Sequence, residues 1–224
     1  MSAFADPAAV ARYAENPPRL VPGFHAMQRM AAILLAETVP PEGAVLVLGA
    51  GGGLELAAFA GWHPGWRFTG VDPSAPMLDL ARAATVAVAD RVRLLQGVID
   101  DAPPGPFDGA TCLLTLHFLP RAERLATLVA LRARLRPGAA LVVAQHSFPP
   151  DPALAAPWMA RFAGFAIASG IDPAMARRAA ESLPVQLPVL SPEDDEELLR
   201  QAGFTGVALF YAAFSFRGWV GFAP

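Results

Sequence analysis

Short apolar runs alternate with segments of helical periodicity along the first two thirds of the chain. The runs of strand length lie at residues 44–48, 66–71, 91–96, 107–114 and 140–144. An unbroken apolar run of this length is typical of a strand buried on both faces. Because helix-like segments separate the runs, the pattern predicts a parallel sheet with helices on both faces. The predicted fold class is therefore α/β and doubly wound.

Helices are predicted before this sheet, and a helix with two strands after it. A short helix over residues 8–15 is stopped by Asn16-Pro17-Pro18, and a second helix begins near Phe24. Ser191-Pro192 is typical of a helix start, and it opens the closing helix. The two closing strands are predicted at 207–210 and 213–216, with the last one antiparallel. The sheet then has seven strands, most of them parallel.

An inserted cap is predicted where the alternation breaks. Residues 151–190 hold two alanine-rich helices, near 153–169 and 173–182, followed by a proline-rich extended stretch at 183–188. We expect this cap to lie beside the substrate. The whole chain is predicted to be one domain with four parts, namely a helical lid at 1–40, a cofactor-binding half at 41–150, the cap at 151–190 and closing elements at 191–224.

Composition narrows the classes of function. The chain has 224 residues and a formal net charge of −3, so no basic face indicates nucleic acid as a partner. All 17 basic residues are arginine. Without lysine there is no Walker A lysine, no Schiff-base lysine and no Tyr-Lys hydride-transfer pair. Apolar residues make up 54% of the chain and charged residues 17%, which leaves apolar surface for a cap or dimer contact.

Cysteine, histidine and the N-terminal sequence indicate neither a disulfide framework nor a metal. Cys112 is the single cysteine and lies in an apolar strand, where an inert buried thiol is expected. The four histidines have no metal-ligand spacing. The N-terminal sequence has neither a basic start nor an apolar core segment, and no run reaches transmembrane length. We therefore expect a cytoplasmic protein with no membrane contact.

A glycine-rich turn follows the first strand and is the most informative motif. Gly49, Gly51 and Gly53 fit G-x-G-x-G, whereas the third glycine of the dinucleotide fingerprint would fall on Leu54. Glycines here let the backbone approach a ligand, and the N–H groups of the next helix face it. Asp72 ends the second strand, where an acid can accept both hydroxyls of a ribose. The motif predicts a nucleoside-cofactor half-fold, and its alternative is a tight turn without a ligand.

These residues resemble class I S-adenosylmethionine (SAM) dependent methyltransferases. The resemblance covers roughly residues 40–222 and rests on Gly49-Ala50-Gly51-Gly52-Gly53, Val71-Asp72-Pro73-Ser74, Leu135-Arg136-Pro137-Gly138 and Ala202-Gly203-Phe204. It implies a Rossmann-like methyltransferase fold with SAM as cofactor. The segments 19–24 and 115–119 and the end of the chain are similar to the carboxy-SAM synthase branch. Members of that branch use SAM and prephenate to make the precursor cofactor for a tRNA wobble uridine, and they are homodimers.

The resemblance also implies roles for individual residues near the cofactor. Gly49, Ala50 and Gly51, with Gly53 in the same motif, line the methionine part, and Asp72 holds the ribose. The residues expected near the adenine are Pro73, Met77, Val98 and Ile99. Leu113 and Leu114 border the sulfonium, Phe24 covers the ligand, and Arg19 or Tyr13 reaches its carboxylate.

Val47 and Val98 stand where methyltransferases usually carry acids. Each lost polar contact is typically worth about 1 kcal/mol, so the two losses predict cofactor binding that is weaker by about tenfold or more. This departure keeps open a reading of the chain as a nucleoside-binding scaffold without catalysis.

Candidate catalytic and substrate residues follow from the expected sheet edge. His117 and His146 follow the fourth and fifth strands, where a general base for an oxygen acceptor is placed, and the alternative is that both are ordinary packed side chains. Arg178 (or Arg177) in the cap is a candidate for the extra carboxylate that the synthase handles. Tyr211 on a closing strand is a further candidate for substrate binding.

Three functions remain from the sequence. We favour a SAM-dependent methyltransferase acting on a small-molecule acceptor. The first alternative is a carboxy-SAM synthase-like enzyme that uses SAM and prephenate, although Leu113 stands where that enzyme has an asparagine. The second alternative is the non-catalytic nucleoside-binding scaffold. A homodimer is implied by the resemblance to the synthase branch.

Overall fold

A single mixed sheet organises the computed structural model, which describes residues 15–224. Its strands are β1 Ala44–Leu48, β2 Arg67–Asp72, β3 Val92–Gln96, β4 Phe107–Leu113, β5 Leu135–His146, β6 Thr205–Ala213 and β7 Phe216–Phe222. The strand order is β3-β2-β1-β4-β5-β7-β6. The pairs among the first five strands are parallel, and β7 pairs antiparallel with both β5 and β6. The predicted α/β doubly wound, seven-stranded sheet is confirmed.

Helices cover both faces of this sheet. They are α1 Asn16–Leu20, α2 Phe24–Ala36, α3 Leu54–Trp62, α4 Ala75–Ala84, α5 Arg121–Ala133, α6 Pro152–Ala168, α7 Pro173–Gln186 and α8 Pro192–Gln201. Successive residues of β1 point to opposite faces. Val45 and Val47 therefore pack with α2, α3 and the helices α6 and α7, whereas Leu46 and Leu48 pack with α5 and α8. Burial on both faces explains why the strand is uniformly apolar.

The strand order reverses at β1, and this places the ligand crevice. Leu48 pairs with Val71 of β2 on one side, and Val47 pairs with Thr111 of β4 on the other. In open α/β sheets ligands bind outside the carboxyl ends of the strands at such a switch point. The glycine turn after β1, Asp72 at the end of β2 and the end of β4 therefore meet at one edge.

The structure corrects one prediction about prolines and shows a further role for them. Asn16-Pro17-Pro18 begins α1, because the first turn needs no intrahelical N–H donors. The stretch predicted as extended from residue 183 is helical as far as Gln186, with Pro184 inside α7. Pro184 removes one donor, but the N–H of Leu187 still bonds to the carbonyl of Leu183, so the last turn is retained. The helix predicted over 8–15, apart from its last residue, and the candidate Tyr13 lie outside the described residues.

Strand boundaries differ most at the carboxyl end of the chain. β5 begins at Leu135 instead of residue 140, because Phe107 of β4 already pairs with Leu135. The last strand spans Phe216–Phe222, whereas the sequence predicted 213–216. Residues 213 and 216 instead face each other across a tight hairpin. Within residues 15–224, no helix is both long and apolar enough to cross a membrane.

Candidate functional site

A cavity of about 1160 Å³ opens at the carboxyl ends of β1, β2 and β4. The predicted cofactor residues on its wall are Phe24, Gly49, Ala50, Gly51, Asp72, Pro73, Met77, Val98, Ile99, Leu113 and Leu114. Pockets for one drug-sized ligand typically measure roughly 300–1,000 Å³. The cavity therefore has room for a nucleoside cofactor together with a small second ligand.

Two glycines of the turn lie very close to neighbouring residues. Gly49 has a φ of 75°, and a Cβ there would overlap the side chain of Thr115. Gly53 has a φ of 79°, and a Cβ there would lie 2.7 Å from Cα of Ala81 in α4. Gly53 thus lets α3 and α4 pack closely and does not itself line the cavity, unlike Gly49, Ala50 and Gly51. Both positions require glycine for steric reasons.

Asp72 ties the turn to the end of β2. Its Oδ2 accepts a hydrogen bond from the N–H of Gly51 at 2.9 Å, and its Oδ1 accepts one from the N–H of Ser74 at 2.9 Å. The side chain is buried but reaches the cavity wall. An ionised carboxylate has about four lone-pair sites, so two remain for ribose hydroxyls. These features fit a nucleoside cofactor at this wall.

Glu55 is a wall residue that the sequence analysis missed. It is the second residue of α3, is only 7% exposed, and lines the cavity. The hydroxyl of Thr111 in β4 donates a hydrogen bond to its Oε1. Burial raises the pKa of Glu55 to about 8, although the bond from Thr111 lowers it. The only sequence signal was a lone acid in the otherwise apolar start of α3.

Among residues 15–224, the charged residue types on the cavity wall are all acidic. The carboxyl groups on the wall are those of Glu55, Asp72, Asp100 and Glu123. Within residues 15–224, no arginine or histidine side chain lines the cavity. Apolar side chains from the lid helix α2 and from the segment after β4, including Met27 and Phe118, cover much of the rest. Such a wall suits cationic or neutral ligands with apolar bodies.

His117 and His146 pack against each other beneath this edge and do not line the cavity. The backbone N–H of His146 donates to Nδ1 of His117 at 3.2 Å, and Nδ1 of His146 lies 3.1 Å from Oγ of Ser215. Burial lowers the pKa of His146 to about 3 and that of His117 well below its usual value. A general base needs contact with the substrate and a pKa near the working pH, so this placement argues against the predicted role.

The buried histidines predict acid-sensitive stability. His146 has a folded pKa near 3 against an ordinary value of 6.5, so only the unfolded chain gains its proton between these values. Stability is then lost as the pH falls below 6.5, by up to about 1.4 kcal/mol per pH unit. We expect His146→Asn to flatten this slope in urea titrations between pH 6.5 and 4.5. His25→Asn, at an exposed position, should not change it, and equal slopes for wild type and His146→Asn would contradict the prediction.

The predicted substrate residues do not meet at the cavity. Arg19 and Arg178 are exposed, and neither lines the wall. Tyr211 is buried, and its hydroxyl donates to the carbonyl of Pro22 at the entry to α2. Its contact therefore joins the β6–β7 hairpin to the segment before α2, and its side chain does not line the cavity. Sequence spacing does not show that Arg19 and Arg178 lie on exposed helix faces. Nor does it show that Tyr211 makes a long-range contact.

Comparisons with known proteins indicate the class of protein. Residues 46–141 match a family model described as a methyltransferase domain. The carboxy-S-adenosyl-L-methionine synthase of Chromohalobacter salexigens is 28% identical over 208 residues, covering 91% of this chain and 77% of the relative. That of Wolinella succinogenes is 27% identical over 210 residues, covering 92% and 84%.

Solved structures show the same fold. An O-methyltransferase family protein from Burkholderia thailandensis superposes with a TM-score of 0.70 at 18% identity, over 98% of this chain. The chain spans 61% of the length of that protein. The SAM-dependent methyltransferase SibL gives a TM-score of 0.63 at 20% identity, over 100% of this chain and 70% of that one.

The methyltransferase-domain match over residues 46–141, with the fold and the turn anchored by Asp72, indicates a SAM-dependent methyltransferase whose cofactor is S-adenosyl-L-methionine. Within that class, the chain is similar in sequence to the carboxy-SAM synthases over nine tenths of its length. The identification made from the glycine pattern and Asp72 is confirmed.

Proposed function

We propose that this chain transfers a methyl group from SAM to a small, neutral or cationic acceptor with an apolar body. The observation that carries the proposal is the cavity wall, which combines apolar side chains and carboxyl groups and, within residues 15–224, no cationic side chain. An anionic acceptor would be desolvated there without a partner, at a cost of several kcal/mol. A neutral or cationic acceptor meets no such penalty.

The chain's own residues bind and orient rather than move protons. SAM supplies an electrophilic methyl group on a sulfonium, so a nucleophilic acceptor needs mainly in-line positioning. Asp72 holds the ribose and the turn, while Leu113 and Leu114 at the end of β4 border the reacting centre. Phe24 and Met27 of α2 cover the cavity and exclude water. These roles are part of the proposal.

The curated relatives favour carboxy-SAM synthesis as the second candidate function. That reaction handles prephenate, a dianion, and therefore calls for cationic side chains. Arg177 and Arg178 lie on exposed positions of α7 and do not line the cavity. Leu113 supplies no polar group where the synthase has an asparagine. The second candidate therefore has weaker support from the described geometry.

The non-catalytic scaffold is the third candidate. It rested on Val47 and Val98, which replace acids expected from the family pattern. Val98 is 53% exposed on the cavity wall, and Val47 is fully buried in β1. Asp72 and the glycine turn retain the arrangement that a nucleoside needs, which the enzyme and the scaffold share, so transfer of a labelled methyl group distinguishes the two.

The proposal is tested by mass spectrometry of ligands released from freshly purified protein. We expect SAM or its demethylated product, and we expect no carboxylated SAM when prephenate is added to the SAM-loaded protein. Apolar amines and neutral acceptors, supplied with methyl-labelled SAM, should become labelled. Wild type and Arg178→Ala should behave alike, because Arg178 lies outside the cavity. Prephenate-dependent carboxyl transfer that Arg178→Ala abolishes would replace this proposal with the second candidate.

A cytoplasmic homodimer is also part of the proposal. Its support is the resemblance of segments 19–24 and 115–119 to the synthase branch. Light scattering of the purified protein distinguishes a monomer from a dimer.

A further inference from the structure

Glu55 carries a buried carboxyl group at an unusual place on the cavity wall. Its Oε1 accepts from the hydroxyl of Thr111, and Thr111 is the register partner of Val47 across β1 and β4. The carboxyl group of Glu55 is therefore held beside the strand position where the family pattern has an acid and this chain has Val47. The acid comes from the first turn of α3 instead of from β1.

Among residues 15–224, no cationic side chain lines the cavity wall around Glu55. The other carboxyl groups on the wall belong to Asp72, Asp100 and Glu123, and Gln28 and Met27 of α2 are uncharged. Cys112 of β4 interacts electrostatically with Glu55. The pKa of its thiol is raised mainly by burial and to a smaller extent by Glu55. A buried carboxylate without a cationic partner is costly. A cationic group entering the cavity would remove that cost.

The position of Glu55 along the cavity wall indicates which cationic group of a ligand it would bind. Thr111 lies two residues before Leu113, so the carboxyl group of Glu55 is held below the end of β4, where the sulfonium is expected. It shares the wall with Gly49, Ala50 and Gly51, where the amino-acid part of the cofactor is expected. That part carries an α-ammonium group. We propose that Glu55 receives the α-ammonium group of bound SAM and replaces the acid absent at position 47.

This inference depends on the cofactor and not on the acceptor. It explains why a chain with Val47 keeps a SAM cavity. It also gives Glu55 a binding role rather than the role of a general base, because its side chain is anchored below the sheet edge. Failure of methyl transfer to small molecules would leave the inference standing, since a carboxylated SAM has the same ammonium group.

Calorimetry with three ligands tests the assignment. SAM and its demethylated product both carry the ammonium group, whereas methylthioadenosine keeps the nucleoside and sulfur but lacks the amino-acid part. A hydrogen bond to a charged group is worth about 1.5–3 kcal/mol. Glu55→Gln should therefore lower the affinity for SAM and for its demethylated product roughly ten- to hundredfold. Its affinity for methylthioadenosine should not change. Glu37→Gln, an exposed acid at the end of α2, is the matched control and should bind all three as wild type does.

Proton release provides a readout on the wild-type protein. The pKa of Glu55 near 8 leaves its carboxyl group mostly protonated at pH 7, and a bound ammonium group favours its ionised form. Binding of SAM at pH 7, measured in two buffers of different ionisation enthalpy, should release up to about one proton. Binding of methylthioadenosine should release none.

Three results would overturn the inference. They are an equal loss of affinity for all three ligands in Glu55→Gln, an unchanged affinity for SAM, and a wild-type protein that releases no more protons with SAM than with methylthioadenosine. A fall in kcat with unchanged SAM affinity would instead identify Glu55 as a base. If Glu55→Gln does not fold, the wild-type proton measurement alone decides.

Discussion

Replacing Asp72 with alanine should reduce the affinity for SAM by about a hundredfold or more. The carboxylate holds the N–H groups of Gly51 and Ser74, and in the proposed function it also accepts from the ribose hydroxyls. Hydrogen bonds to a charged group contribute about 1.5–3 kcal/mol each, and two lost ribose bonds alone correspond to this factor. Isothermal titration calorimetry with SAM measures the change.

The control for Asp72→Ala is Asp79→Ala. Asp79 is exposed on α4 and pairs with Arg82 one turn away, so its loss should not alter SAM binding. Asp72→Asn separates the two roles, since an amide oxygen still accepts one bond but carries no charge. Unchanged SAM affinity in Asp72→Ala would remove the cofactor site from this edge of the sheet.

Replacing Arg124 with methionine should lower the free energy of unfolding by about 3–5 kcal/mol. Arg124 and Asp195 form an ion pair whose side chains are both 0% exposed, and it joins α5 to α8. Arg124 also donates to the carbonyl of Pro188 at 2.9 Å, just after α7. Its loss leaves the Asp195 carboxyl group buried without its cation. Urea denaturation followed by circular dichroism measures the effect.

The double variant Arg124→Met with Asp195→Leu tests the cause. Removing both charges should recover most of the lost stability, because no unpaired charge remains in the interior. Arg200→Ala breaks an exposed pair with Glu196 and should cost less than about 1 kcal/mol. A double variant no more stable than Arg124→Met would mean that the carbonyl contacts and packing of Arg124 dominate.

Local pattern was sufficient for most of the fold. Apolar runs bounded by glycine and proline predicted β1 and β4, because those strands are buried on both faces. The boundaries of the strands near the carboxyl end of the chain were less predictable. β5 starts earlier than its apolar run because Leu135 pairs with Phe107 of β4, and the other end of β5 and the whole of β7 are set by their pairing over Ala140–His146 and Phe216–Phe222. Such pairing is a long-range property that the local pattern does not contain.

The sequence likewise indicated some residues of the candidate site and not others. The glycine turn and Asp72 are local to two strands, and both were recognised from the sequence. Glu55 depends on a contact with Thr111, 56 residues away, and no spacing indicated it. His117 and His146 follow strands at the correct edge, but His146 stacks on Phe216 beside Ser215 and His117 packs against His146, so neither ring lines the cavity. Sheet order predicts the edge on which a residue lies and not the direction of its side chain.

The one-signed wall of the cavity also has a consequence for turnover. A wall with carboxyl groups and, among residues 15–224, no cationic side chain attracts a ligand of net positive charge by Coulomb forces. SAM has such a charge through its sulfonium, whereas the thioether left after methyl loss is neutral. Reaction therefore removes part of the attraction that holds the ligand. We therefore expect the cavity to release its spent cofactor more readily than its fresh one, which would limit product inhibition without any moving part.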